Sequence, residues 1–159
     1  MFVTNHVLSG VVIGRIFERR PVRAFLVGVA SHLVLDMVPH WGCTLTSEGG
    51  RRLFLRYAQR DGVLCLLIGA GALAAVDRRA RPATLAAMAG AVLLDVDKPL
   101  VHFFRWNPFP RVVRRIHARA QNESPRGMPN EVRFGVCCAA VDVAVMGIGR
   151  NRDARIHEP

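Results

Sequence analysis

Five apolar stretches of helical length, separated by clusters of arginine, constrain the fold of this chain most strongly. The stretches cover residues 2–17, 21–38, 62–76, 82–94 and 132–149. Pro21 and Pro82 stand near the start of two of them, where proline is compatible with the first turn of a helix. We therefore predict an all-α fold, a compact bundle of about five short hydrophobic helices.

Charge and hydropathy together favour a membrane-embedded bundle. The chain carries a net charge of +10 and is 51% hydrophobic, which excludes a disordered basic tail. Two classes remain, a small membrane protein with basic connections and a basic soluble domain that binds nucleic acid. Because the arginines lie between the apolar stretches, we expect the bacterial cytoplasmic membrane as the location and anionic lipid headgroups as partners. A soluble bundle with a very apolar core is the alternative, and the sequence does not indicate an oligomeric state.

Sequence-specific binding of nucleic acid has no support in the sequence. Aromatic residues make up 7% of the chain, and no zinc-finger spacing occurs. Lys98 is the single lysine among 22 basic residues. Such a preference for arginine is typical of a GC-rich coding bias, so the arginines say little about phosphate recognition.

The chain is predicted to form one helical membrane domain over residues 1–149, followed by a polar tail over residues 150–159. Residues 103–130 differ from the rest because they are rich in arginine and proline. Within them, residues 110–122 predict a short basic helix at the membrane surface. Residues 34–40 and 93–102 share an order of apolar residues, Asp, Pro and His, which suggests two related helical hairpins.

Ionisable side chains inside the apolar stretches indicate where chemistry is located, since burying them unpaired is costly. His32 and Asp36 are four residues apart, so they share one face of a helix, and His40 follows four residues later. Imidazole nitrogen and carboxylate oxygen are ligands that zinc prefers. We therefore predict a divalent metal site, with zinc as the expected ion. The alternative is that His32 and Asp36 only satisfy each other in the core.

Further polar residues are candidates for the same site. His6 and Asp61 lie near the starts of their apolar stretches and are predicted as additional metal ligands, with helix capping as the alternative for Asp61. Asp95 and Asp97 are candidate catalytic carboxylates. The alternative there is a helix-terminal turn with an ion pair from Asp97 to Lys98 or Arg105.

These motifs resemble those of small bacterial proteins described as predicted membrane-bound metal-dependent hydrolases. The resemblance rests on Asn5-His6-x3-Gly10-x3-Gly14 and on Ser31-His32-x3-Asp36-x2-Pro39-His40-Trp41. Asp61, Gly90-x4-Asp95-x-Asp97 and His117-x3-Gln121 extend it. The His-x3-Asp…His order is also similar to that of the helical zinc-dependent phospholipase C superfamily. Asp95-Val96-Asp97-Lys98 departs from the Pro-Asp-x-Asp run expected in the hydrolase family.

The resemblance implies a hydrolase that activates water on a metal and acts on a phosphodiester or ester of lipid-like character. Arg105, Arg115, His117 and Gln121 are then candidates for substrate binding. Two other hypotheses stay open. One is a non-catalytic membrane protein with a structural metal site or a buried His/Asp network, and the other is a basic soluble domain that contacts nucleic acid without sequence specificity.

Overall fold

A computed structural model shows a chain that is 79% helical, which confirms the all-α class. It describes residues 1–42 and 47–156, with side chains as far as residue 145. The helices are α1 (Val3–Ile16), α2 (Pro21–Met37), α3 (Glu48–Ala75), α4 (Arg81–Val92), α5 (Asp97–Phe104), α6 (Arg111–Ala120) and α7 (Met128–Ile156). A 3₁₀ turn (Leu93–Val96) joins α4 to α5, and two short strands, β1 (His40–Trp41) and β2 (Glu123–Ser124), pair in parallel.

Two helices extend well beyond the apolar stretches that predict them. Helix α3 begins at Glu48 because the Ser47 side chain accepts a hydrogen bond from the Gly50 amide and caps the first turn. Helix α7 continues through Ile156, so the first residues of the predicted polar tail are helical, whereas residues 157–159 lie outside the described part of the chain. Hydropathy marks only the apolar part of each helix, and for this reason it misses both extensions.

Helix α4 packs against both α1 and α2 and forms the centre of the bundle. Glycines permit this packing, because a Cβ added at Gly14 would overlap the Thr84 backbone, and one added at Gly28 would overlap the Ala87 carbonyl. On the other side of α1, Val7 and Val11 pack with Met88 and with partly buried residues of α3. The backbones of α1 and α2 therefore approach that of α4 closely, as small residues permit.

Contacts at the helix ends define two ends of the bundle. At the first end, the start of α1 meets Asp61 of α3 and Glu131 of α7, and the ends of α2 and α4 lie beside it. At the opposite end, Arg15 of α1 pairs with Asp142 of α7. The arginine-rich connections α1–α2 and α3–α4 lie at this opposite end, while α6 lies at the first. Both ends are therefore basic, with apolar helices between them.

One helix has the length and hydropathy of a membrane span. Among the described residues, α3 alone is long and apolar enough to cross a membrane, with 28 residues and a mean hydropathy of 1.3 in its most apolar window, none of which is buried. Helices α1, α2 and α4 have 14, 17 and 12 residues, fewer than the roughly 20 that span a bilayer. This agrees with membrane association through α3 and leaves embedding of the whole bundle a prediction.

Candidate metal centre

Four buried side chains from three parts of the fold converge on one point at the first end of the bundle. His32 and Asp36 come from the last turns of α2, Asp95 from the 3₁₀ turn and His117 from α6. Each offers one ligand atom, and these atoms all lie within 4.8 Å of one another. We call this group the His/Asp cluster.

The separations in the His/Asp cluster fit a shared ion. Asp36 Oδ2 lies 3.1 Å from His32 Nε2 and 3.2 Å from His117 Nε2. Asp95 Oδ1 lies 3.9 and 3.8 Å from the same two nitrogens. Bonds of about 2.0–2.2 Å to one metal place neighbouring ligand atoms roughly 3–3.6 Å apart. Small side-chain shifts would therefore bring all four atoms to ligand distance of one centre.

One hydrogen bond fixes which nitrogen of His32 is available. Its Nδ1 lies 2.6 Å from the Ala91 carbonyl oxygen, which only accepts, so Nδ1 carries the proton. In the neutral ring Nε2 then holds a lone pair, and this lone pair faces Asp36 Oδ2 and His117 Nε2, both 3.1 Å away. A metal ion between these atoms would use this lone pair, so His32 Nε2 is placed to act as a ligand.

His6 lies directly beside the cluster as a further ligand candidate. Its ring stacks on that of His32 with centroids 4.1 Å apart, and its Nε2 lies 3.3 Å from Asp36 Oδ1 and 3.9 Å from Asp95 Oδ2. Both ring nitrogens are buried, and neither makes a hydrogen bond of good geometry. A buried imidazole with an unused nitrogen aimed at two carboxylates is suited to completing a coordination shell.

Ionisation in the cluster favours metal binding. Burial by itself would raise the Asp36 pKa, but the neighbouring rings of His117, His32 and His6, together with the Met1 ammonium, outweigh it and hold the pKa far below its usual range. Burial opposes ionisation of Asp95 too, and Lys98 overcomes it, so that the Asp95 pKa is also lowered. Burial lowers the His6 pKa to about 4. At neutral pH both carboxylates are charged and His6 is neutral, the forms that bind metals.

Three neighbouring groups hold the cluster in place. Gln121 Nε2 donates to Asp36 Oδ2 and lies 2.7 Å from His117 Nε2, so its amide contacts two members of the cluster. Lys98 Nζ lies 2.9 Å from Asp95 Oδ1. The Lys98 side chain is partly exposed and forms the edge of the cluster that is nearest to solvent. Asp95 in turn raises the Lys98 pKa, which keeps the ammonium charged. The Met1 nitrogen also lies 2.8 Å from Asp36 Oδ1.

The structure brings together about half of the residues that the sequence singles out. The grouped residues are His6, His32, Asp36, Asp95, His117 and Gln121. His40 does not join them, although it is fully buried, because Pro39 ends α2 and directs the chain into β1. Its Nδ1 lies 2.8 Å from the Val38 carbonyl, and none of its described contacts reaches the cluster.

The remaining candidates also lie apart from the cluster. Asp61 accepts hydrogen bonds from the Val3 and Thr4 amides at 2.7 and 3.1 Å, so it caps the first turn of α1, the alternative considered for it. Asp97 accepts a hydrogen bond from Asn107. Arg105 and Arg115 are exposed, and no contact in the described part of the chain links them to the cluster.

Sequence reasoning missed how Lys98 and Glu131 serve the site. Glu131 is buried and accepts hydrogen bonds from the Phe2 amide, the Trp41 amide and the Asn5 side chain, which ties α1, β1 and α7 together beneath the cluster. Nothing local marks Glu131, since its partners are more than 85 residues away in the chain. Lys98 carried a signal, because it is the one lysine in an arginine-rich chain and directly follows two aspartates of interest.

Comparison with known proteins leaves the family open. No family model matches the chain, and no curated protein or solved structure shows significant similarity to it. The geometry of the His/Asp cluster is thus the basis on which the function is argued.

Proposed function

We propose that the chain is a membrane-bound metal-dependent hydrolase with its metal centre at His32, Asp36, Asp95 and His117. The observation that carries this proposal is the buried convergence of two imidazole nitrogens with two ionised carboxylates, within 4.8 Å of one another. A metal ion shared by these atoms would offset the cost of burying two carboxylates side by side. His6 would add a fifth donor atom.

Zinc is the ion that this donor set suits best. Two imidazole nitrogens and two carboxylate oxygens match its borderline preference, whereas magnesium and calcium favour oxygen alone. The Ala91 carbonyl orients His32 through its other ring nitrogen, as outer partners commonly do in metal sites. When bound, the ion supplies a Lewis acid and a water of lowered pKa.

The residues around the cluster support hydrolysis of an anionic phosphodiester or ester. Within the cluster, one carboxylate oxygen of Asp95 faces His6 and the other faces Lys98. Asp95 is therefore placed to accept a proton from a water at the metal centre. Lys98 offers a positive charge at the partly exposed edge, where a phosphoryl oxygen would approach. Asp97 is bonded to Asn107 instead, which makes Asp95 the stronger candidate for a general base.

Near-complete burial of the cluster favours a second candidate function. His32 and Asp36 are fully buried, and Asp95 and His117 are more than nine-tenths buried. Structural metal sites are closed in this way, whereas catalytic sites keep a position open to substrate. The second candidate is therefore a non-catalytic membrane protein whose fold is held together by the same ion.

Metal analysis of detergent-purified protein tests the shared part of both functions. We expect one or more equivalents of a divalent metal in the wild type and loss of most of it in His32→Ala and Asp36→Ala. His102→Ala is the matched control, because His102 is exposed and belongs to the related segment outside the cluster. Equal metal content in all four proteins would show that the cluster does not bind the ion.

Activity then separates the two functions. The metal-loaded wild type is assayed with a chromogenic phosphodiester, a chromogenic ester and phospholipid vesicles. Turnover that is lost in Asp95→Asn and on chelation, and that returns when zinc is restored to the wild type, supports the hydrolase. Stoichiometric metal without turnover of any of these substrates assigns the ion a structural role.

A further inference from the structure

Three large aromatic side chains are exposed at the end of α5. Phe103, Phe104 and Trp106 are 71%, 72% and 58% exposed. Arg105 between them adopts a left-handed backbone conformation with φ of 56°, which ends the helix and holds the aromatic residues on a turn. Exposed aromatic residues of this size are unusual on a surface that only meets water.

Helix α6 places positive charge and more apolar surface after this turn. Val112 and Ile116 lie one turn apart and are exposed, and arginines share the outer side of the helix with them. These arginines are Arg111, Arg114, Arg115 and Arg119. Residues 98–122 contain no Asp or Glu, and none of the five arginines in this range forms an ion pair within the described residues. We call residues 103–119 the aromatic–basic surface.

The aromatic–basic surface borders the His/Asp cluster. The inner side of α6 carries the buried His117, which contacts Asp36, and Gln121 follows at its end. Helix α5 starts directly after Asp95 and contains Lys98. Whatever covers this surface therefore comes close to the one partly exposed edge of the cluster.

We propose that the aromatic–basic surface docks on an anionic lipid bilayer, with the aromatic rings at the interface and the arginines on lipid phosphates. Aromatic residues prefer the headgroup level, and each basic residue near an anionic bilayer contributes about 1 kcal/mol of attraction. A second copy of this chain fits less well, because unpaired arginines would face arginines. If the proposed hydrolase is correct, its substrate is then an anionic phospholipid headgroup presented at this surface.

Trp106 provides a local reporter of this docking. The chain has two tryptophans, so Trp41→Phe leaves Trp106 as the single emitter. This protein is reconstituted at full length into bilayers with phosphatidylcholine alone or mixed with phosphatidylglycerol, in each case with lipids brominated near the top of the acyl chain. We expect blue-shifted Trp106 emission in the anionic bilayers, with at least twofold stronger quenching by brominated lipid than in phosphatidylcholine and little quenching by iodide.

Variants test the two parts of the surface separately. Arg111→Gln with Arg114→Gln is expected to remove at least half of the extra quenching seen in anionic bilayers, and Phe103→Ser with Phe104→Ser is expected to expose Trp106 to iodide. Arg78→Gln with Arg79→Gln is the matched control, since these arginines lie at the opposite end of the bundle. Their loss should leave the Trp106 signal unchanged.

Two results would overturn the docking proposal. One is Trp106 emission that stays fully accessible to iodide in both bilayers, which would place the surface in water. The other is emission shielded from iodide and also from brominated lipid, which would mean that protein covers it. The metal content of the same samples is measured in parallel, so a failure of the docking proposal is distinguished from a failure of the metal centre.

Discussion

The contact between His32 and the Ala91 carbonyl decides what the centre of this molecule can do. By fixing the proton on Nδ1, it leaves Nε2 as a base that points at carboxylate oxygens. If His32 and Asp36 only formed a hydrogen bond with each other, the tautomer with the proton on Nε2, between the two side chains, would be more stable. The observed arrangement therefore leaves His32 Nε2 available as a ligand to a cation.

Burial of His6 determines how the stability of the metal-free protein changes in acid. Burial lowers its pKa from 6.5 to about 4 in the folded chain, so the unfolded chain takes up a proton first as the pH falls. The free energy of unfolding is therefore unaffected by His6 titration above pH 6.5. It falls by about 3 kcal/mol as the pH is lowered from 6.5 towards 4. Melting temperatures of chelated wild type and His6→Phe across this range measure the effect.

The His6→Phe profile should be flatter between pH 6.5 and 4, because phenylalanine does not titrate. Asp36 and Asp95 do not obscure this pH window. Because their pKa values are lowered in the folded chain, the stability that they contribute is lost only at pH values below the usual aspartate pKa. Parallel profiles of the two proteins would show that His6 is not held neutral by burial.

At the scale of elements, contact through glycine sets the position of α4 and hence of Asp95. Gly14→Ala is expected to lower stability by about 1–3 kcal/mol, since its Cβ would overlap the Thr84 backbone. Gly71→Ala in α3 is the matched control, because no atom lies within 4 Å of its added Cβ and helix propensity favours alanine by roughly 0.5–1 kcal/mol. Thermal unfolding of the two variants should shift in opposite directions, and equal shifts would contradict the packing.

The start of α1 yields another prediction for an element. Asp61→Ala removes the acceptor of the Val3 and Thr4 amides and should cost about 1–2 kcal/mol of stability with no change in bound metal. Asp61→Asn keeps an acceptor oxygen and should retain most of the stability. Loss of metal in both variants, measured on folded protein, would instead indicate that Asp61 is a metal ligand.

The sequence predicts local arrangements better than long-range ones, for physical reasons. The spacing of His32 and Asp36 places them on one face of any helix, so this half of the cluster follows from sequence alone. The nearness of Asp95 and His117 depends on how α4 crosses α2 and where α6 lies, which is decided by packing between distant segments. His40 shows the converse, because Pro39 interrupts the helical spacing on which its prediction depended.

At the scale of the whole molecule, the up-and-down order of the helices explains why arginine occurs at every connection. Arg19 and Arg78 lie at one end of the bundle, whereas Arg111 lies at the end that holds the cluster. Basic clusters at both ends would attract anionic headgroups at whichever end meets a bilayer. The exposed apolar half of α3 is the segment best suited to anchor it.

Extraction of membranes tests this anchor. We expect the chain to stay with the membrane fraction in high salt and at alkaline pH, and to be released by detergent. Leu66→Arg with Leu67→Arg, which places two charges on the exposed face of α3, should move the chain into the soluble fraction. Release of the wild type by salt alone would favour the basic soluble domain instead.

X-ray absorption at the zinc edge of the detergent-purified, zinc-loaded wild type and His32→Ala tests whether these side chains bind the ion. In the wild type we expect a first shell of nitrogen and oxygen at about 2.0–2.2 Å with multiple scattering from at least two imidazoles, and we expect this scattering to weaken in His32→Ala. A shell that contains sulfur, or one that is the same in wild type and His32→Ala, would contradict a metal centre formed by His32, Asp36, Asp95 and His117.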